Sequence, residues 1–106
     1  MKVIVFCAMM AAATAASAAD IEIDVQNFSV ERGVARAVML VKNNLAKPVQ
    51  GVFIDCAFLD GDKKAVGIGR AIINALAPNG DAYEEAALPT KASVQFVDCR
   101  VRSFRD

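Results

Sequence analysis

Two short segments hold the residues best placed to do chemistry: Phe53-Ile54-Asp55-Cys56 and its echo Phe96-Val97-Asp98-Cys99. Each sets a carboxylate beside a thiol. If Cys56 and Cys99 are bonded, Asp55 and Asp98 fall on the same side of paired or facing strands. Two carboxylates that meet can share a proton or hold a metal, which would make a small hydrolase or inhibitor of envelope material. The plainer reading makes them exposed acids paired with Arg36 or Arg100, and it is preferred because surface ion pairs are common. The cysteines themselves are too far apart for a C-x-x-C redox site. A zinc site lacks both the ligand number and any histidine. A structural disulfide between Cys56 and Cys99 is expected. It closes a loop of about 43 residues, worth roughly 4 kcal/mol in the chain-entropy model.

Other chemistries are poorly supplied. The absence of histidine removes the usual general base of Ser-His-Asp or Cys-His catalysis. Lys42, Lys47, Lys63, Lys64 and Lys91 stand in polar surroundings, without the apolar stretch that would depress a lysine pKa. Asp60-Gly61-Asp62 begins like a calcium loop, but no further ligands follow at the required positions. Gly67-Ile68-Gly69-Arg70 lacks the third glycine and the following helix of a dinucleotide site. No cofactor or metal is expected, and the chain reads as not an enzyme. Twelve basic residues balance twelve acidic ones, so no electrostatic footprint for nucleic acid arises. Arg100, Arg102 and Arg105 form a mild basic edge, of the kind that guards an edge strand against aggregation.

Residues 1–19, MKVIVFCAMMAAATAASAA, have the layout of a cleaved secretory signal peptide. Lys2 gives the positive start, Val3 to Ala16 the apolar core, and Ala16-Ser17-Ala18 or Ser17-Ala18-Ala19 the small-x-small site. The apolar run is short for a bilayer core of about 30 Å, so no stable membrane anchor is expected after cleavage. Phe6 precedes Cys7 where a lipoprotein signal needs a small residue, and lipidation is set aside. Export to the periplasm or the extracellular space is an oxidising destination, which agrees with a closed cysteine pair.

The remaining residues, 20–106, read as one all-β domain. Ile21-Glu22-Ile23-Asp24-Val25 alternates apolar and acidic residues as a half-buried strand does, and Asn27 to Gly33 reads as a loop. Val34 to Lys42 is the next strand, with Ala37, Met39 and Val41 on one side, and Asn43 to Pro48 connects onward. Then comes Val49 to Leu59, apolar on both faces and therefore central. Val52, Ile54, Cys56 and Phe58 point one way; Phe53, Asp55, Ala57 and Leu59 point the other. The Asp60 to Lys63 turn places Gly61 where a positive φ is expected. Lys64 to Ile73 is the hairpin partner, with Gly67 and Gly69 marking a bulge or a close backbone approach. After the corner Leu76-Ala77-Pro78-Asn79-Gly80, the stretches Asp81 to Leu88 and Ser93 to Arg102 complete the set. Six or seven short strands of this kind read as an antiparallel, immunoglobulin-like β-sandwich with one disulfide, either between the sheets or between two strands of one.

Val41-Lys42-Asn43-Asn44, then Val52 to Asp60 with Gly61-Asp62-Lys63, then Leu76-Ala77-Pro78-Asn79-Gly80 form a series. In it the chain resembles small exported bacterial β-sandwich domains of the FxLYD or immunoglobulin-like type, from Met39 to Gly80. The resemblance implies a binding or interaction module with no common catalytic residues. The missing catalytic constellation and the double-sided apolar strand lead to the expectation of a non-catalytic binding module of the bacterial cell envelope, with another envelope protein as the candidate partner. A purely structural envelope role is the further alternative. The resemblance names no ligand and no oligomeric state.

Phe53 and Phe96, on the face turned away from the cysteines, are the candidate contact residues; the alternative contact surface is an exposed edge strand that accepts a partner's strand by β-augmentation. They become ordinary core if a second sheet closes over them, the reading favoured for a domain this small. One expected outcome follows from the cysteines alone: the intact mass without reductant should lie about 2 Da below the reduced mass. Equal masses would refute the bridge.

Overall fold

The computed structural model describes residues 19–106. All of the expected signal segment except Ala19, Cys7 included, lies outside the described residues. Six strands run in chain order: β1 (Ile21–Glu31), β2 (Val34–Asn43), β3 (Val49–Leu59), β4 (Ala65–Leu76), β5 (Asp81–Pro89) and β6 (Phe96–Arg105). They form two antiparallel three-stranded sheets, β1-β2-β5 and β4-β3-β6. The sheets face one another around a shared apolar layer, so the expected all-β sandwich with one disulfide is what the chain builds. The central strands, β2 and β3, supply most of that layer.

Period-two alternation explains why. On β2, Ala35, Ala37, Met39 and Val41 are fully buried. On β3, Val52, Ile54, Cys56 and Phe58 are fully buried, and the intervening Phe53, Asp55, Ala57 and Leu59 turn outward. Small residues on β2 leave room for the larger ones on β3. The Phe58 ring lies at the centre, 6.3 Å from the ring of Phe28 on β1.

Asn27 to Gly33, read from the sequence as a loop, is mostly strand. β1 pairs with β2 as far as Glu31, and only Arg32 and Gly33 turn the chain. Their φ angles of 53° and 76° are those of a two-residue hairpin turn with both central residues left-handed. The sequence pattern failed here because the register skips between Val25 and Asn27. This bulge reverses the alternation and moves Phe28 to the inner side, where a strict period of two would expose it. The turn between β3 and β4 differs in a similar way. Lys63, and not Gly61, takes the positive φ of 63°. Asp60 instead organises the turn, its carboxylate accepting from the Asp62 and Lys64 backbone N–H groups at 2.9 and 3.0 Å.

β4 continues past Ile73 to Leu76, and β6 begins at Phe96 and continues past Arg102 to Arg105. Gly67 and Gly69 occupy the inner side of β4, where that strand lies against β5 of the opposite sheet. A Cβ on Gly69 would stand 2.7 Å from the Ala87 carbonyl oxygen and 2.9 Å from the Phe58 ring. A Cβ on Gly67 would stand 2.6 Å from a Leu88 methyl. The close approach expected from these glycines is therefore real, and a register skip between Phe58 and Leu59 adds the bulge.

Asn43 is the one buried polar residue among the described residues, and it ties two crossings between the sheets together. Its amide N–H₂ donates to the carbonyls of Lys47 at 2.8 Å, Ala77 at 3.1 Å and Leu76 at 3.4 Å. Its side-chain oxygen accepts from the Leu45 N–H at 2.9 Å, and its own backbone N–H donates to Gly80 at 2.8 Å. One side chain thus fastens the β2–β3 connection to the β4–β5 corner.

Both features set expected outcomes in urea or thermal unfolding. Asn43→Ala removes four side-chain hydrogen bonds at a fully buried position and should cost about 2–4 kcal/mol. Asn43→Asp would turn a carboxylate toward three carbonyl oxygens. The folded state then holds the proton more tightly than the unfolded chain does, so this variant should gain stability as pH falls. An Asn43→Ala variant as stable as the parent would refute the role. Gly69→Ala, which presses on backbone and a buried ring, should cost about 1–3 kcal/mol. Gly67→Ala should cost less because the Leu88 side chain can turn away. The reverse order would show that the sheets do not meet as described.

Candidate functional site

Cys56 and Cys99 are directly opposite one another on β3 and β6, with Cα atoms 3.9 Å apart, and they are bonded. The bridge therefore joins neighbouring strands of one sheet and does not span the two sheets. So short a separation is that of a pair lacking mutual backbone hydrogen bonds, where side chains come closest. Cys56 is buried and Cys99 half-buried. The sulfurs lie on the inner side, which turns Asp55 and Asp98 to the outside.

On that outer face the two carboxylates are diagonal neighbours, not directly opposed. Asp55 sits between Arg70 of β4 and Arg100 of β6, and Asp98 sits opposite Ala57. The Arg70 Nε is 3.4 Å from Asp55 Oδ1. Arg100 reaches Asp98 Oδ2 from Nη2 at 3.0 Å and from Nε at 3.1 Å. Each acid thus has its own arginine. Arg36, the other expected partner, lies on the opposite sheet and pairs with Glu85 at 3.4 Å. Among the described residues no group of three or more His, Cys, Asp or Glu side chains is arranged to hold a metal.

The second sheet's outer face has apolar rows on either side of these charges. Phe53 faces Ile72 across β3 and β4, Ala57 faces Ile68, and Leu59 faces Phe96 across β3 and β6. Phe53 and Phe96 are 41% and 43% exposed, and Ile68 and Ile72 are 52% and 51% exposed. The favoured core reading of the two phenylalanines is thereby overturned. The β1-β2-β5 sheet closes over the cysteine side of β3, and only one side of β3 can face it. Ile68 and Ile72 were visible in the sequence as neighbours on one side of β4. Their membership of this surface depends on strand pairing, which no local signal reveals.

The arrangement is a broad surface with only a shallow hollow, about 300 Å³, at its middle. Asp55, Ala57, Ile68, Asp98, Arg100 and Arg102 line it. Lys63 overlies the Phe96 ring at 5.4 Å from its centroid and partly shields it. The face thus sets an exposed apolar area beside a row of arginine–aspartate ion pairs, the make-up of a protein-contact surface.

Against this geometry, no protein-family model, no curated protein and no solved structure matches the chain.

Proposed function

We propose that the protein is an exported, non-catalytic binding module of the bacterial cell envelope that engages another envelope protein through the outer face of β4-β3-β6. The carrying observation is the exposure, on one sheet face, of Phe53, Ile68, Ile72 and Phe96. Exposing four large apolar side chains together is costly in water, and contact with a partner offsets that cost. The disulfide and the layout of residues 1–19 support an oxidising destination. The resemblance to FxLYD-type or immunoglobulin-like domains over Met39 to Gly80 supports the same reading. Catalysis by Asp55 and Asp98 is less well supported, because each carboxylate is neutralised by its own arginine.

Photo-crosslinking in intact cells tests the proposal. A crosslinking side chain at Phe53 or Ile72 should give one discrete adduct with a different protein. The same group at Tyr83, exposed on the opposite sheet, should give none. Phe53→Asp should remove the Ile72 adduct while the domain stays folded. Asp55→Asn with Asp98→Asn should leave the adduct within about threefold, since exposed pairs contribute little. No adduct at either position, or equal adducts at Tyr83, would overturn the assignment.

A further inference from the structure

β1 and β6, edge strands of the two sheets, lie one above the other along a flank that the sandwich leaves open. At the opposite flank β4 closes on β5 through Gly67 and Gly69. At the open flank the inward side chains Ile23, Val25, Val97, Val101 and Phe104 are only partly buried. A groove of about 440 Å³ runs there between the start of β1 and the end of β6.

The chain's own polarity fixes what could cover this flank. β2 and β3 are joined by the short connection 44–48, so β3 runs opposite to β2 and in the same direction as β1. β6 is antiparallel to β3 and hence to β1. A twofold axis parallel to the strands, placed beside the flank, preserves every strand direction. It sets β6 of one copy against β1 of the other, antiparallel, and does so twice. Both sheets then continue from copy to copy, and the partly buried inner side chains of both flanks meet.

Charge agrees with this geometry. Glu22 and Asp24 lie outward on β1, while Arg102 and Arg105 are exposed at the end of β6 that adjoins the start of β1. Among the described residues none of these four takes part in an ion pair. In the paired sheets the acids of one copy border the arginines of the other, on the same face.

We infer that the open β1/β6 flank binds a second copy of this chain, giving a twofold dimer with antiparallel β6–β1 pairing at both junctions. This goes beyond the binding role proposed for the outer face and does not depend on it. Light scattering and sedimentation of the disulfide-closed protein over a concentration series test it. The expected result is a mass approaching twice that of the chain, with dissociation promoted by salt. Arg102→Asp or Asp24→Arg alone should weaken association about tenfold or more, and the two changes combined should restore it by exchanging the partners. Both positions are exposed, so at concentrations where the parent is monomeric each variant should unfold at the parent's midpoint. Phe53→Ser with Ile72→Ser should leave the dimer intact. A monomer at every concentration up to about 1 mM would overturn the inference. So would charge variants that leave association unchanged, or loss of the dimer in the outer-face variant.

Discussion

The buried amide of Asn43 is the contact on which the rest of the sandwich depends. A two-sheet fold needs the chain to leave one sheet and enter the other. At one end of this domain it does so twice, between β2 and β3 and between β4 and β5. Asn43 donates to carbonyls on both crossings, that of Lys47 on the first and those of Leu76 and Ala77 on the second. An unpaired buried carbonyl costs about as much as a lost hydrogen bond, so one short polar side chain both satisfies and aligns the two corners. The sheets are then held at the separation that Phe58, Met39 and Ile54 fill.

The disulfide acts on a different weakness. β6 is an edge strand that pairs only with β3, and its inner side chains are only partly covered. Cys56 and Cys99 fix β6 in register against the most buried strand. A slip of one residue there would exchange the inner and outer sets of side chains. Because the bridge fixes register, it also fixes the outer face: Asp55 against Arg100, and Leu59 against Phe96. The candidate site depends on the staple even though the sulfurs point away from it.

Charge is unevenly divided between the sheets although the chain is neutral overall. Outward positions of β1, β2 and β5 carry Glu22, Asp24, Glu31, Asp81 and Glu85 against Arg36 and Lys42. Those of β4, β3 and β6 carry Arg70, Arg100, Arg102 and Arg105 against Asp55 and Asp98. A zero net charge thus conceals an acidic sheet and a basic one, with the apolar side chains Phe53, Ile68, Ile72 and Phe96 on the basic side. Such a division favours partners that approach in a defined orientation.

The sequence alone determined the strand character of the domain, the cysteine pair and which residues of β3 share a side. These follow from local alternation and from the chemistry of two thiols. It also marked Gly67 and Gly69 as a close approach. Tertiary structure decided the rest. Asn43 reads locally as the end of a strand, and its partners are 33 and 34 residues away at Leu76 and Ala77. The length of β1 was hidden by a bulge at Gln26, which breaks the alternation that a sequence reading follows. Whether Phe53 and Phe96 are core or surface depends on which side of β3 the opposite sheet covers. Alternation separates the two sides of a strand but cannot rank them when both are apolar, and only the packing of β2 against the cysteine side left the other side to the solvent.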